Sequence, residues 1–415
     1  MKTIGILAGL LVIAIALSGS FAAGMGFKAS NVSVGSGSKY MAVAYGNNTY
    51  VTVWYNYTGA YLNATAINAA DGTVKGEKVI STDIYTYNNA PSVPPAIAYD
   101  DKDKAFVVMW VNSSRYLEAV VIDSNLNVIR NEFTVNDTTG VSYKGIALGY
   151  GGGKFLAVWS DSSYHLEARF MNRTYNGTVF RITNFNGKEQ KSPWIGYDES
   201  SNRFMVTWVN VTQNATGTKF YNISGKIIDA ASENFVTGDI LIADAFTDQS
   251  SYTAPTVSGG AGEFFVTYVT YISPRNITAK IYDSNGNMVA GPINIGNTYY
   301  YGRSQMPSVY TGSNFTVVWS NSTEAILAQS YSTDGTPLGE PRVIYSGTNG
   351  GNPHIAYSSD DKTYFFTWTE FQGSGKPYIL SGAIWTVSEF VPEFNLAIAV
   401  GVTAIVGMVV IRRKH

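Results

Sequence analysis

The chain has 415 residues, 14% aromatic and 14% charged, with a formal net charge of −2. So small a net charge argues against an electrostatic nucleic-acid partner. No cysteine is present, which excludes disulfides, thiolate metal sites and cysteine nucleophiles. A chain this long can still be held by its hydrophobic core alone.

At the N-terminus, one lysine precedes an apolar run from Ile4 to Leu17, and Ser20 and Ala22 take the −3 and −1 positions of a cleavage site. The pattern predicts a secretory signal peptide over residues 1–22, with an uncleaved anchor as the alternative. A single strand-like segment, FKASNVSV (27–34), follows.

From there the chain repeats. An apolar strand ending in an aromatic recurs as YVTVW (50–54), FVVMW (106–110), FLAVW (155–159), FMVTW (204–208), FFVTY (264–268), FTVVW (315–319) and YFFTW (364–368). Most copies have a preceding strand, as in PPAIAYD (94–100), SPWIGYD (192–198) and NPHIAYS (352–358). A third strand follows, as in YLEAVVID (116–123) or ITAKIYD (277–283), and a fourth closes the unit, as in DILIAD (239–244). Asp71–Gly72, Asn176–Gly177, Asn285–Gly286 and Asp334–Gly335 are read as the hairpin turns.

Four antiparallel strands, lettered A to D from the axis outward, in about 50 residues make one blade of a β-propeller. The expected fold is all-β: a seven-bladed propeller over residues 23–388. A solenoid is the competing arrangement and would need capping units. The last copy has no fourth strand of its own, so residues 27–34 are expected to supply it and close the ring.

Repeated Trp54, Trp110, Trp159, Trp208, Trp319 and Trp368 could stack on sugars or pack one blade on the next. A position repeated in every unit favours packing.

The D–A and B–C loops should share one face. Their rings and cations make it the candidate binding rim: Tyr85, Tyr87, Tyr143, Tyr252, Tyr299, Tyr300, Tyr301 and Arg303, with Gln305, Lys144, Lys191 and His354 nearby. Tyrosine offers flat apolar area plus a hydroxyl, which suits sugar rings. The A–B turns on the other face carry Asp100, Asp101 and Asp103, Asp198 and Glu199, and Asp360 and Asp361. These are oxygen ligands by type, but they lack EF-hand spacing and read as turn charges.

No catalytic constellation emerges. The three histidines (His165, His354 and His415) are scattered, and the GYGGGK run (149–154) reads as a hairpin turn rather than a phosphate cradle. No cofactor or metal is expected.

Fourteen N-x-[ST] sequons occur, at Asn31, Asn47, Asn56, Asn63, Asn112, Asn136, Asn172, Asn176, Asn210, Asn214, Asn222, Asn276, Asn314 and Asn321. Composition alone gives roughly five or six. The excess suits a secreted glycoprotein, and glycans on the B–C loops would crowd the binding rim.

The chain ends with a linker (389–395), an uncharged apolar segment (396–411) and a basic tail (412–415). Sixteen helical residues span ~24 Å, slightly short of a ~30 Å hydrocarbon core, and snorkelling arginines close most of the gap. The basic tail should stay cytoplasmic, leaving the propeller outside. Pro392, Glu393 and Phe394 stand just before the apolar segment. This order resembles the PEF-CTERM sorting signals of archaeal surface proteins, which archaeosortases read. The resemblance covers about the last 24 residues. It implies an archaeal cell-surface protein whose tail is cut near PEF and exchanged for a lipid; a plain transmembrane anchor is the alternative.

The expected function is a non-enzymatic, S-layer-associated or adhesive surface protein that contacts envelope proteins or glycans. The alternative is an extracellular carbohydrate-active enzyme or sugar-binding module.

Overall fold

The computed structural model describes residues 29–56, 61–87, 90–136, 140–142, 144–173, 176–184, 187, 189–246, 254–270, 275–298 and 305–387. The expected signal peptide, the PEF motif, the apolar C-terminal segment and the basic tail lie outside them. Among the described residues every named element is a strand, and no helix is long and apolar enough to cross a membrane.

Five sheets have four antiparallel strands each, laid down in chain order. They run from Ala96–Asp100 to Val128–Thr134, Ile146–Gly151 to Asn176–Arg181, Glu189–Asp198 to Ile240–Phe246, Thr256–Gly260 to Met288–Asn297, and Ser308–Tyr310 to Pro337–Tyr345. A larger sheet joins the two ends of the chain. Its order is Gly350–Ser358, Thr363–Glu370, Tyr378–Thr386, Ala29–Gly46, Thr49–Asn56, Leu62–Asn68 and Val74–Ser81.

One strand, Ala29–Gly46, does two jobs in that sheet. Its first half pairs with Tyr378–Thr386, with Ala29 opposite Ile384 and Gly37 opposite Tyr378. Its second half pairs with Thr49–Asn56, with Met41 opposite Trp54 and Gly46 opposite Thr49. The register shifts between Gly37 and Met41, where the strand passes from one partner to the other. The N-terminal segment therefore supplies the outer strand that the last repeat lacks, as the sequence suggested.

Burial explains the strand order. The B strands are buried on both faces and mostly apolar, as in Ala105–Val111 and, apart from Thr316 and Ser320, Phe315–Ser320. The D strands carry alternating charges and are largely exposed, as in Val128–Thr134. A strand buried on both faces reads as an unbroken apolar run, which is the repeat's signature.

The A strands contact one another in sequence: Ala29–Gly46 with Ala96–Asp100, then Ile146–Gly151, Glu189–Asp198, Thr256–Gly260, Ser308–Tyr310 and Gly350–Ser358, which returns to Ala29–Gly46. The core lies between sheets. Each B-strand aromatic packs into a cluster shared with the preceding sheet. Trp110 packs with Val51 and Val53, Trp159 with Val107 and Met109, Trp208 with Leu156 and Val158, and Trp54 with Phe365 and Leu380. Tyr268, Trp319 and Trp368 repeat the pattern in the remaining clusters. The six repeated tryptophans are at most 2% exposed, so they pack sheets and do not present rings to a ligand.

Gly72, Gly286 and Gly335 take positive φ in their hairpins, as Asp-Gly and Asn-Gly turns require. Asn176–Gly177 departs from expectation: Asn176 opens an outer strand, so the pair lies within the ladder and not in the turn.

Candidate ligand site at the axial opening

The loops that lead into the A strands surround one end of the central axis. Two local features bring charged groups together there. Gly145 takes φ +132°, and a Cβ on it would sit 3.0 Å from Cδ of Pro193, so only glycine lets these loops touch. The Ser192 amide donates to the Lys144 carbonyl at 2.8 Å and fixes the contact. The strand Glu189–Asp198 then shifts register between Lys191 and Trp194, a bulge that re-aims its first residues.

Residues 189 and 191 fall on one face of this strand, and Gln190 falls on the other. Gln190 is fully buried. Its Oε1 accepts from the Leu166 amide at 3.0 Å and its Nε2 donates to Asn210 Oδ1 at 3.1 Å. That anchor holds Glu189 between two lysines, with Lys144 Nζ 2.9 Å from Oε2 and Lys191 Nζ 3.5 Å from Oε1. Lys191 also lies 4.8 Å above the Tyr221 ring, and Lys144 lies 5.5 Å from the Tyr164 ring. Burial draws the Lys191 ammonium down to about 8; Glu189 opposes the shift and Lys144 adds to it. Burial pushes the Glu189 carboxyl up, but the Lys144 hydrogen bond and the lysine charges outweigh it, and the group ends below its ordinary value.

Lys144 and Lys191 line a cavity of about 200 Å³. Lys39, Lys144, Lys191, Gln305, Asn352 and His354 supply its polar wall, and Pro95, Ile97, Pro193 and Trp194 are among its apolar lining. Among the described residues no carboxylate lines it. His354 is buried, and desolvation holds its imidazole down to about 4.

The opposite end of the axis has the reverse polarity. A wider cavity of about 980 Å³ opens between the A–B turns, lined by Asp101, Asp198 and Glu199 and, among the described residues, by no lysine or arginine. The two cavities share Trp194, Ile195 and Ser308. Tyr150, Tyr197, Tyr310 and Tyr357 border the acidic one, each from the same A-strand position. Their rings rest on the first aromatic of the B strand, for example Tyr197 on Phe204 at 4.9 Å and Tyr310 on Phe315 at 5.0 Å. Tyr45 and Tyr99 repeat this packing, and the Tyr45 hydroxyl donates to Asp360 at 2.8 Å. The acidic turns are used locally. Asp100 accepts from the Lys102 and Asp103 amides, and Asp198 accepts from the Ser201 and Gly262 amides. Among the described residues no group of three or more histidines and acids could hold a metal ion.

Of the rim read from the sequence, Tyr143, Tyr252, Tyr299, Tyr300, Tyr301 and Arg303 lie outside the described residues. Tyr85 packs partly against the core, and Tyr87 is 60% exposed in a short two-stranded ladder; neither lines the cavity. Lys144, Lys191, Gln305 and His354 do come together. The sequence reading missed Glu189, Trp194 and the A-strand tyrosines. Aligning IAYD, IGYD and IAYS would have revealed the tyrosines.

The sequons also divide. Asn31, Asn47, Asn172 and Asn214 are exposed. Asn63, Asn136, Asn210 and Asn314 are buried. Asn136 Oδ1 accepts from the Leu117 amide at 2.6 Å, and Asn210 Oδ1 accepts from Trp208 Nε1 at 2.7 Å. A glycan has no room on these carboxamides in the folded protein.

A closed ring of radial antiparallel sheets is a β-propeller. No protein-family model and no curated protein sequence matches this chain. Solved structures do resemble it. The lectin BP39L from Burkholderia pseudomallei aligns over 85% of this chain and 97% of its own, at TM-score 0.62 and 12% identity. A family PL25 polysaccharide lyase, an ulvan lyase bound to -[GlcA(1-4)Rha3S]-, aligns over 89% of this chain and 99% of its own, at TM-score 0.59 and 9% identity. The polysaccharide lyase Uly1 aligns over 85% and 90%, at TM-score 0.53 and 10% identity. At such identities the likeness is one of fold.

Proposed function

We propose that this chain is a seven-bladed, non-enzymatic surface propeller that contacts glycans through its lysine-lined axial opening. The observation that carries the reading is the cavity itself, where lysines, amides and apolar side chains converge with no carboxylate lining it among the described residues. A pair of carboxylates flanking the bond is what most glycoside hydrolysis requires. Seven blades are supported by counting Ala29–Gly46 twice, as the outer strand of the last blade and the inner strand of the first. The similar folds include a lectin and two polysaccharide lyases, so a saccharide partner is the natural class to test.

The anchor gives this opening a direction. Val387, just after the last strand, donates its amide to the Lys362 carbonyl at 3.0 Å, in an A–B turn. A tether starting there leaves from the acidic face, and the lysine-lined opening faces away from the membrane. We assign the C-terminal segment this anchoring role, with the PEF motif as its processing signal, on an archaeal cell surface beside the S-layer.

A second reading, a carbohydrate-active enzyme, draws on Lys191. A buried amine held down to about 8 beside a carboxylate can exchange protons near neutral pH. Incubating the protein with a panel of polysaccharides separates the two. Retention without new chain ends supports the binding protein; new reducing ends or unsaturated products support the enzyme.

A further inference from the structure

We propose that the axial cavity is a subsite for one hexuronate residue, its carboxylate held by Lys144 and Lys191. The proposal rests on the glycan-binding reading and names the chemical class of glycan.

Charge makes the first argument. Among the described residues three lysines line the cavity and no carboxylate does; Glu189, outside the lining, is shared between Lys144 and Lys191. The wall therefore keeps an excess of positive charge in a largely desolvated place, where an incoming anion is attracted more strongly than in water. Lys144 and Lys191 have side-chain exposures of 11% and 3%, so they are built into the wall and do not wave in solvent. The second argument is size. A cavity of about 200 Å³ that opens to solvent gives room for one sugar residue to enter. The third is the mixed lining. Trp194, Ile97 and the prolines offer surface to the C–H faces of a sugar, while Asn352 and Gln305 bring amides suited to hydroxyls. The fourth is polarity along the axis. The other mouth carries Asp101, Asp198 and Glu199, so an anion is drawn to one end and repelled from the other.

The test is calorimetry on the detergent-solubilised full chain with glucuronate, glucose and acetate, run beside retention on immobilised polyuronate. Glucuronate should bind at least ten-fold more tightly than either glucose or acetate. Lys144→Met and Lys191→Met should each weaken it ten-fold or more, while Lys191→Arg keeps part of the affinity. Melting curves for each variant separate lost binding from lost folding; where Lys191→Met does not fold, Lys144→Met and Lys191→Arg decide. Equal affinity for glucose, or full affinity in both methionine variants, overturns the subsite. Acetate as tight as glucuronate also overturns it, since the cavity would then be a general anion hole. Polyuronate retention that survives both methionine variants overturns the subsite and leaves the glycan-binding reading standing. Glucuronate binding that meets these expectations without polyuronate retention does the opposite.

Discussion

The Tyr50 hydroxyl donates a hydrogen bond to the Thr363 carbonyl at 2.8 Å, joining residues 313 apart in the chain. The Tyr50 ring also stacks on Phe365, with centroids 5.1 Å apart. Both partners belong to the last repeat, so this contact fastens the seam where the ring closes. Tyr50→Phe should keep the stacking and lose the bond. A buried acceptor stripped of its donor costs about 1 to 3 kcal/mol. For a domain of this size that corresponds to a melting temperature lower by roughly 1 to 4 °C. Thermal denaturation by circular dichroism checks it; an unchanged midpoint would mean the seam is held by packing alone.

The strand that closes the ring crosses the Trp54 indole at a glycine. A Cβ on Gly35 would lie 2.4 Å from Cζ2 of Trp54. Thr65 Oγ1 adds a bond to the Val34 carbonyl at 2.8 Å and itself accepts from Trp54 Nε1 at 3.1 Å. Gly35→Val should therefore push the strand off the sheet and expose its edge. Overpacking of this kind costs about 1 to 3 kcal/mol, and the freed edge invites association. Limited proteolysis should cut the variant first within residues 29–37. A wild-type digestion pattern would show that Trp54 can move aside.

Much of this fold is legible in the sequence, and the reasons are local. FVVMW is apolar at every position, and FTVVW at all but Thr316, because their strands are buried on both faces. The tryptophans recur because each fills the same gap between sheets. Closure by residues 27–34 follows from an unpaired strand at one end and a missing one at the other. The site is harder to read. Glu189 meets Lys144 only because Gly145 touches Pro193 and the strand bulges before Trp194. Neither event leaves a periodic trace. Spacing alone places Lys144, Lys191 and His354 on one rim, but not the carboxylate between the lysines.

His354 should make the protein sensitive to mild acid. Burial lowers its folded pKa from 6.5 to about 4. Between those values the unfolded chain binds the proton and the folded one does not, so stability rises with pH over that window and falls as pH drops through it. At about 1.36 kcal/mol per pH unit, the full effect is at most about 3 kcal/mol. Denaturant midpoints at pH 7, 5.5 and 4.5 should fall more steeply for the wild type than for His354→Gln. Parallel curves would show that the imidazole is hydrated in the folded protein.

The sequons offer a test of this packing in the native organism. Oligosaccharide transfer needs a reachable carboxamide, and a glycan cannot enter a packed sheet. Asn31, Asn47, Asn172 and Asn214 are exposed, whereas Asn63, Asn136, Asn210 and Asn314 are buried. Asn210 is the clearest case, since its Nδ2 also donates to Ser224 Oγ at 2.9 Å inside the sheet. Glycopeptide mass spectrometry should find occupancy confined to exposed and half-buried sequons and none on the four buried ones. Replacing Asn210 by Ala should then leave the glycan mass unchanged and lower stability by about 1 to 3 kcal/mol through the stranded Trp208 and Gln190 donors. A glycan on Asn210 would mean that this sheet opens in the cell. An unchanged stability would mean that water replaces the carboxamide without loss.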